Sequence, residues 1–299
     1  MTPLAQLITD EAFAAGFAAV GFAKASLAES IAVYEQWLAE GMAGDMAYLQ
    51  RHAELKKDPA NVAPGVKSII AVAARYPTNP SPERGVSTYA RGLDYHDVIR
   101  SKLRALAATL NEHHPLQVQR ICVDFAPLLE REWAIRAGLG WQGKQGQLVN
   151  ASAGCCLVLG FLLVDLELPA SVPVAERCGD CRCCLDACPT GAALGAGRVD
   201  ARRCLSYLTI EHKGAIPNEF QSAMSGTLFG CDRCTAVCPW NRRGTALVMP
   251  ELDAQQSTPS ANACLAMTEA EFTERFKGTA VYRTGLERLK RNASLAQLD

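Results

Sequence analysis

The sequence lacks two features that would point to a membrane or to a strongly charged partner. Its longest apolar run, Cys155 to Val164, stops at Asp165 and is too short to span a bilayer as a helix. The formal net charge of −1 gives no overall attraction to nucleic acid or to an anionic membrane. The first residues lack the basic region, twin arginine and apolar core of an export signal. We therefore expect a cytoplasmic protein that does not bind membranes.

Several familiar catalytic motifs are also missing. The sequence has no H-E-x-x-H motif and no nucleophile elbow, which argues against the zinc proteases and the α/β-hydrolases that carry them. The glycine-rich stretch Gly138–Gly146 fits neither the G-x-G-x-x-G pattern nor the P-loop pattern. A structural turn and close packing against a bulky cofactor both remain open for it. With 299 residues and ordinary globular composition, the chain is long enough for two domains or for one large domain with an insertion.

What the sequence has in excess is cysteine, with 13 residues. Cys178-Gly-Asp-Cys181-Arg-Cys-Cys184-Leu-Asp-Ala-Cys188-Pro fits the C-x2-C-x2-C-x3-C-P motif at every position. Cys231-Asp-Arg-Cys234-Thr-Ala-Val-Cys238-Pro repeats the last three cysteines of that motif. This spacing is typical of iron–sulfur proteins, because the two-residue gaps wrap a loop around a cubane and the last cysteine reaches the other cluster.

Eight cysteines can thus be divided into two sets of four, with the lone Cys204 completing the second. We predict two [4Fe–4S] clusters. The first set is Cys178, Cys181, Cys184 and Cys238, and the second is Cys231, Cys234, Cys204 and Cys188. The position of Cys183 next to Cys184 does not fit the spacing, so we interpret it as a spare cysteine.

Structural zinc and disulfides are the two alternatives for these cysteines. Zinc would use four ligands in C-x2-C pairs and would leave Cys188, Cys238 and both Cys-Pro pairs unexplained. Disulfides are not expected in a chain without a secretory signal. Metal or redox chemistry therefore explains the cysteines best.

Residues 1–170 alternate strand patterns with helical patterns, which predicts a three-layer α/β domain. Asp124 ends the apolar strand Ile121-Cys-Val-Asp124, and strand ends are where α/β folds place reactive side chains. Apolar neighbours raise the pKa of a carboxyl group, which suits a general acid. Because Pro127 is expected to begin a helix with Ala126 as its cap, Asp124 is free for a functional role.

Two further patterns were weighed as binding sites. Asp94-Tyr-His96 resembles the start of the D-x-H-x-x-G motif that ligates cobalamin through histidine, but Ile99 replaces the glycine, so we interpret His96 as a residue of a first helical turn. Basic residues also concentrate late in the chain, where they form either a solvated surface or a local phosphate-binding patch. They are Arg198, Arg202, Arg203, Lys213, Arg242, Arg243, Arg283, Arg288, Lys290 and Arg291.

Five segments carry a resemblance to a known family. They are Val123-Asp124-Phe-Ala-Pro-Leu-Leu-Glu-Arg131, Ala137-Gly-Leu-Gly-Trp141-Gln-Gly-Lys144, the first cluster motif with Pro-Thr-Gly-Ala192, Val199-Asp-Ala-Arg-Arg-Cys204, and Gly230-Cys-Asp through Cys-Pro-Trp-Asn-Arg242. In combination they are similar to the epoxyqueuosine reductases, and the resemblance covers nearly the whole chain. Members of this family are related to the reductive dehalogenases.

The resemblance implies an α/β (α+β) architecture in three parts. Residues 1–170 would form a nitroreductase-like, cobalamin-binding catalytic domain, and residues 171–245 a ferredoxin-like domain with two [4Fe–4S] clusters. Residues 246–299 would form a helical, basic C-terminal segment. Many family members continue into HEAT-like repeats, and the sequence given ends at Asp299.

The resemblance also implies an oxidoreductase activity in queuosine biosynthesis. Its last step reduces the epoxide of epoxyqueuosine at the tRNA wobble position, using base-off cob(I)alamin supplied with electrons by the two clusters. The expected partners are tRNA with epoxyqueuosine in its anticodon and a low-potential electron donor that the sequence does not identify. We expect a monomer.

By resemblance, Asp124 occupies the position of the family's proton donor. Other residues fall near family positions that contact cobalamin or, next to Cys204, near positions that would meet the cofactor or the tRNA. The cobalamin group is Lys56, Ser87, Leu148 and Asn150, and the group next to Cys204 is Ser206 and Thr209.

Two alternative functions predict different observations. A reductive dehalogenase would carry an export signal and a halide-facing tyrosine with a basic partner. A two-cluster electron-transfer protein would bind no cobalamin, and substitution of Asp124 would have no effect on any turnover.

Overall fold

The structure is a computed structural model that describes residues 2–79, 85–253 and 257–297. Its centre is a four-stranded sheet in which every neighbouring pair is antiparallel. In spatial order the strands are β1 (Ala19–Lys24), β2 (Ser68–Arg75), β7 (Leu157–Val164) and β4 (Gln119–Cys122). The predicted three-layer arrangement is confirmed, because a separate hydrophobic core covers each face of this sheet.

The remaining strands form short two-stranded pairs in the described residues. These are β3 (Gly85–Val86) with β10 (Thr227–Phe229), β5 (Trp141–Gln142) with β6 (Leu148–Val149), and β8 (Ala193–Gly195) with β9 (Arg198–Val199). The β3–β10 pair is parallel and joins the N-terminal part of the chain to the cysteine-rich part.

Helices surround the sheet and also occur throughout the cysteine-rich and C-terminal regions. They are α1 (Pro3–Ala14), α2 (Ile31–Ala39), α3 (Ala47–Arg51), α4 (Ala53–Lys56), α5 (Tyr95–His113), α6 (Glu130–Arg136), α7 (Cys183–Asp186), α8 (Leu205–Ile210), α9 (Asn218–Gln221), α10 (Arg233–Ala236), α11 (Pro239–Arg243), α12 (Ala261–Ala266), α13 (Glu269–Phe276) and α14 (Leu286–Ala296).

Both faces of strand β2 are buried, and alternate residues serve different cores. Ile70 and Val72 pack in the core that contains α1 and α5, whereas Ile69 and Ala71 pack in the core that contains α6. The two-residue period of a strand produces this division. Gly160 in β7 lets α5 lie close to the sheet, since a Cβ there would be 2.4 Å from a methyl group of Ile99.

Helix α5 places the residues that matter most for the site. Asp94 caps it by accepting a hydrogen bond from the His96 backbone N–H at 3.0 Å. Leu103 and Leu110 anchor its apolar face in the core. The first turn, with Tyr95 and His96, is thereby fixed beside the segment that follows β4.

The prediction that a helix begins at Pro127 is wrong. Helix α6 begins at Glu130, and the residues between β4 and α6 form a loop. Tight turns shape this loop, with hydrogen bonds from the Phe125 N–H to the Val123 carbonyl and from the Leu128 N–H to the Ala126 carbonyl, both 2.7 Å. Asp124 therefore lies in a loop six residues before the helix, where it does not cap it.

The C-terminal helices share a core with earlier parts of the chain. Residues of α12, α13 and α14 pack against Val86, Leu228 and Phe229. The side chain of Asn292 in α14 donates hydrogen bonds to the carbonyls of Thr209 and Leu228 at 2.9 and 2.8 Å. The predicted domain boundaries at residues 170 and 245 stay predictions. Within the described residues, no helix combines the length and apolar character needed to cross a membrane.

Candidate active site and cluster-binding region

One cavity of about 360 Å³ lies between the end of the central sheet and the cysteine-rich region. The α/β part contributes Leu157, Val158 and Leu159 of β7, Asp124, Glu130, Tyr89, Tyr95, Ser87, Gln145 and Leu148. The cysteine-rich part contributes Cys188, Cys204, Ser206, Cys231 and Cys234. The cavity therefore brings the predicted proton donor together with all four cysteines of the predicted second cluster set.

Asp124 has an unusual backbone conformation at the rim of this cavity. Its φ angle of 56° lies in the left-handed region, which Asp tolerates better than most residues. Its backbone N–H donates to Glu130 Oε1 at 2.6 Å. Its Oδ2 accepts a hydrogen bond from the Tyr95 hydroxyl at 2.8 Å and lies 2.9 Å from His96 Nε2. Such a conformation persists only where its surroundings hold it, and here Glu130, Tyr95 and His96 do so.

The carboxyl group of Asp124 does not have the raised pKa that its apolar sequence neighbours predict. Desolvation raises the pKa of Asp124, but the hydrogen bond and charge of His96 and the hydrogen bond of Tyr95 outweigh it, so the net pKa is lowered. The prediction of a raised pKa is therefore wrong. The prediction considered the apolar neighbours along the strand. It did not include the hydrogen-bond donors Tyr95 and His96 of α5, which the fold brings to the carboxylate.

Two other groups in the site hold protons more readily than usual. Burial, followed by the charge of Asp124, raises the pKa of Glu130 to about 7. Burial lowers the pKa of His96, but hydrogen bonds to Asp124 and Asp94 outweigh it, so the net pKa is raised. Titratable groups with pKa values moved in opposite directions mark sites that transfer protons.

Sequence reasoning missed the partnership of His96 with Asp124. His96 is 3% exposed and lies between two carboxylates, with Nδ1 2.7 Å from Asp94 Oδ1 and Nε2 2.9 Å from Asp124 Oδ2. The Asp94-Tyr-His96 sequence was a signal for the first contact. Nothing local signals the second contact, which depends on packing α5 beside the loop after β4.

The 13 cysteines are all free thiols in the structure, and several thiols of the same predicted set lie near one another. Burial raises the pKa of Cys184, and the charges of three neighbouring thiols raise it further. These neighbours are Cys238, Cys178 and Cys181. Cys234 has a pKa raised by burial and then by neighbouring thiols, namely Cys231, Cys204, Cys188 and, last, Cys184.

Among the described residues, no three His, Cys, Asp or Glu side chains converge closely enough to hold a single metal ion. A cubane differs from a single ion because four iron atoms and four sulfides separate its thiolate ligands. The proximity of the cysteines within each predicted set is therefore the relevant geometry for a cluster.

Buried polar contacts surround both cysteine sets. The indole Nε1 of Trp141 lies 3.4 Å from Cys178 Sγ, in the first set. Asp232, between two cysteines of the second set, is 4% exposed and accepts hydrogen bonds from Asn79, Ser87 and both the N–H and hydroxyl of Thr88. These contacts fasten the second set to the α/β part of the chain.

The predicted cofactor-contact residues divide into two groups. Ser87, Leu148 and Ser206 line the cavity. The other three residues bind backbone groups near the cavity instead; they are Lys56, Asn150 and Thr209. Lys56 Nζ donates to the Leu128 carbonyl at 2.9 Å, and Asn150 Nδ2 donates to the Leu139 carbonyl at 2.6 Å.

The prediction that Thr209 contacts the cofactor or the tRNA directly is wrong. Its side chain is fully buried, and its hydroxyl donates to the Leu205 carbonyl and accepts from the Gly230 N–H. Its position one turn beyond Cys204 in sequence places it on the inner face of α8, away from the cavity. The residue serves to join α8 to the turn that begins the second cysteine motif.

The basic residues late in the sequence do not form one solvated patch. Arg291 donates to the carbonyls of Leu208, His212 and Gly214, and Arg288 donates to the carbonyl of Ile210. Arg283 binds Asp94. These arginines attach the C-terminal helices to the rest of the protein.

Comparison with known proteins gives the family of this chain. Residues 56–124 match the family described as epoxyqueuosine reductase QueG, DUF1730, and residues 177–241 match the 4Fe-4S double cluster binding domain. Epoxyqueuosine reductase of Aliivibrio fischeri is 39% identical over 94% of this chain and 79% of its own length. The Escherichia coli enzyme is 38% identical over 99% of this chain and 81% of its own length.

The chain belongs to the epoxyqueuosine reductase family.

Solved structures of epoxyqueuosine reductases have the same fold. A crystal structure with an epoxyqueuosine-modified tRNA-Tyr stem loop matches with a TM-score of 0.88 at 31% identity, covering 98% of this chain and 80% of that one. A structure of the Bacillus subtilis enzyme, with the catalytic loop of an aspartate swung out of the active site, matches with a TM-score of 0.86 at 31% identity, covering 98% of this chain and 81% of that one. The predicted family, oxidoreductase class and fold class are thus confirmed.

The double-cluster match supports the predicted iron–sulfur chemistry. Its range, residues 177–241, includes all eight cysteines of the two predicted sets. Cys183 lies in the same range and is exposed, whereas its neighbour Cys184 is partly buried. The individual ligand assignment stays a prediction.

Proposed function

We propose that this chain reduces the epoxide of epoxyqueuosine in a tRNA anticodon to the alkene of queuosine. Two [4Fe–4S] clusters, a cobalamin and Asp124 as the proton donor would carry out the reaction. The observation that supports this most is the shared cavity, which Asp124 borders together with Cys188, Cys204, Cys231 and Cys234. A site that couples electron transfer to proton transfer needs both kinds of group around one reacting centre.

The cavity has features that fit a large, polar-edged cofactor such as cobalamin. Gln145 is 4% exposed and borders the cavity, and its Nε2 has no hydrogen-bond partner among the described residues. A buried donor without a partner is costly unless a ligand binds it. Gln145, Ser87 and Ser206 would bind the cofactor edge, and Leu148 would pack against its apolar surface.

A bound cobalamin would supply a low-potential, nucleophilic cobalt centre for two-electron chemistry. Both ring nitrogens of His96, the histidine nearest Asp124, are engaged by carboxylates, so this side chain would not be free to ligate the cobalt. We propose the base-off form of the cofactor from the family resemblance.

Loss of the epoxide oxygen as water consumes two electrons and two protons. The two cysteine sets would hold the clusters that pass single electrons toward the cavity, with the second set next to it. Asp124 would deliver a proton to the epoxide oxygen as its C–O bond breaks. The electrons would come from a low-potential donor, and we propose that the enzyme works in the cytoplasm as a monomer.

The solved relatives support this assignment of substrate and residue. The relative with an epoxyqueuosine-modified stem loop shows that one family member binds such an RNA. The relative from Bacillus subtilis has its catalytic loop at an aspartate. Asp124, in a loop between β4 and α6 at the cavity rim, is our candidate for the corresponding group.

Anaerobic reconstitution with iron, sulfide and cobalamin tests the proposal directly. We expect about eight iron atoms and one cobalt per chain. The reduced protein should convert an epoxyqueuosine-containing stem loop to the queuosine form, measured by mass spectrometry of the nucleosides. Eight iron atoms without retained cobalt or conversion would favour an electron-transfer protein. Conversion of an aryl halide in place of the stem loop would favour a dehalogenase.

Lys213 is the basic residue for which the structure best supports a contact with tRNA. It is exposed and lies near Glu211, whose pKa is raised by burial and by the charge of Asp124 and lowered by the charge of Lys213. Because Glu211 responds to both charges, we infer that Lys213 lies within electrostatic reach of the region around Asp124. We expect Lys213→Ala to weaken stem-loop binding and to reduce the salt dependence of log Kd by about one unit of slope.

Lys24 provides a matched control for that binding measurement. It is exposed and pairs with Ser68, at the end of the sheet opposite the cavity. We expect Lys24→Ala to leave both the Kd and its salt dependence unchanged. Equal losses in the two variants would contradict a tRNA contact at Lys213.

A further inference from the structure

A chain of polar contacts leads from the C-terminal segment to Asp124. The guanidinium of Arg283 donates two hydrogen bonds to Asp94 Oδ2, at 3.0 and 2.8 Å. The other oxygen of Asp94 lies 2.7 Å from His96 Nδ1, and His96 Nε2 lies 2.9 Å from Asp124 Oδ2. The imidazole is therefore held between the two carboxylates in a single orientation.

Ring contacts hold two of these four groups, His96 and Arg283. The ring of His96 stacks between Tyr95, at 4.0 Å, and Phe125, at 4.7 Å between centroids. The guanidinium of Arg283 lies over the ring of Phe125, 5.0 Å from the ring centroid. Arg283 thus contacts both the carboxylate that orients His96 and the loop that carries Asp124.

We propose that His96, oriented by Asp94 and Arg283, is the immediate proton source for Asp124, so that the C-terminal segment is a working part of the active site. This inference rests on the proposed role of Asp124. The proton on His96 Nε2 moves to the Asp124 carboxylate at Oδ2, which leaves a neutral imidazole and a neutral carboxyl group. Asp124 then gives this proton to the substrate oxygen and returns to a carboxylate. Solvent reprotonates His96.

The charged groups around His96 favour its protonated form. Asp94 and Asp124 face its two nitrogens, while Tyr95 is a neutral hydrogen-bond donor to Asp124. Arg283 opposes protonation, but Asp94 lies between it and the ring. Glu130 binds the backbone of Asp124 and does not contact the carboxylate that receives the proton. The raised pKa of His96 agrees with this balance.

The first test is the pH dependence of single-turnover reduction by the reconstituted holoenzyme. The wild-type rate should be constant at low pH and fall as the pH rises through the raised pKa of His96. His96→Gln keeps an N–H donor toward Asp124 but carries no transferable proton. We expect its rate at neutral pH to fall about a hundredfold, with loss of this limb and an unchanged KM for the stem loop.

His114→Gln is the control, because His114 is exposed at the far end of α5. It should leave rate and pH profile unchanged. A wild-type pH profile in His96→Gln would overturn the proposal. The proposal would also be overturned if Glu130→Gln removed the fall in rate at high pH while His96→Gln kept it. Glu130 would then be the proton source.

A second measurement does not depend on turnover. Histidine-selective NMR of the holoprotein should show one imidazole, identified by its absence in His96→Gln, that titrates above the ordinary histidine range. Asp94→Asn should lower that pKa. If His96 titrates in the ordinary range and Asp94→Asn does not move it, the relay is wrong even where epoxyqueuosine is reduced. If the pKa of His96 is raised and Asp94→Asn lowers it, but epoxyqueuosine is not reduced, the proposed function is wrong and the proton relay is retained.

Arg283→Met tests the contribution of the C-terminal segment. It keeps a long side chain but loses both hydrogen bonds to Asp94. We expect kcat to fall roughly tenfold at constant KM, because His96 and Asp124 lose their alignment. A raised KM with unchanged kcat would instead place Arg283 on the RNA-binding surface and contradict this part of the proposal.

Discussion

Asp124→Asn should reduce turnover about a thousandfold while the protein keeps its clusters and its cobalamin. General acid catalysis contributes about 10²- to 10⁴-fold, and an amide cannot give a proton to the breaking C–O bond. Asparagine has nearly the same shape, and its carbonyl oxygen can still accept the hydrogen bond from Tyr95. It is also one of the few residues that tolerates the left-handed conformation with φ of 56° at this position.

The measurement is single-turnover conversion of the stem loop, with iron and cobalt counted in the same sample. Asp97→Asn is the matched control, because Asp97 is an exposed residue in the first turn of α5 and pairs only loosely with Arg100, at 3.8 Å. It should retain wild-type turnover. Wild-type turnover in Asp124→Asn would show that another group, with Glu130 the nearest candidate, supplies the proton.

The resting charge state around Asp124 changes how its role as an acid is understood. A carboxyl group with a lowered pKa does not hold a proton in the resting protein near neutral pH. It can still deliver one if a neighbour holds it in reserve. The raised pKa values of His96 and Glu130 show that the site has such neighbours, one on each side of Asp124.

The sequence predicts those parts of the site that depend on spacing along the chain. The C-x2-C-x2-C-x3-C-P spacing divides the cysteines into two predicted sets. In the structure all four cysteines of the second set line the cavity, namely Cys188, Cys204, Cys231 and Cys234. A motif rule of this kind is useful because a cluster imposes its geometry on short loops. The match to a double-cluster domain supports the motif, and the division into sets stays a prediction. The position of Asp124 just beyond a strand was predictable for a similar reason, since the apolar run before it is a local signal.

Contacts between distant segments could not be predicted. His96 and Asp124 are 28 residues apart, and they meet because α5 packs on one face of an antiparallel sheet whose β4 edge ends beside it. The start of α6 was misplaced because Pro127 is suitable for a first helical turn but the hydrogen bonds of the Asp124 loop use those residues first. Thr209 was misplaced because proximity to Cys204 in sequence does not determine which face of α8 it occupies.

The arginines of the C-terminal helices show the same limit for charge. A list of basic residues predicts an electrostatic patch, whereas burial and local acceptors determine which charges reach a ligand. Arg291 is fixed by backbone carbonyls and burial lowers its pKa to about 10, so its charge serves the fold. Lys213 remains exposed, which is why it is the better candidate for tRNA.

Cys234→Ala should abolish turnover, because it removes a thiolate of the second set, the set that borders the cavity. We expect the iron content to fall from about eight to about four atoms per chain, since a [4Fe–4S] cluster needs four thiolates. The electron paramagnetic resonance signal of the reduced protein should keep one cluster, that of the first set. Without the second cluster, electrons from the first have no carrier next to the cofactor, so the loss should exceed that in Asp124→Asn.

Cys183→Ala is the control that makes this result specific. Cys183 lies within the same double-cluster domain and beside Cys184, yet it is exposed and its spacing does not fit the motif. It should keep about eight iron atoms and full turnover. A loss of four iron atoms in Cys183→Ala would show that Cys183 is a ligand and that the first set is misassigned. Full turnover in Cys234→Ala would mean that the first cluster supplies the cavity directly, against the order that the cavity lining supports.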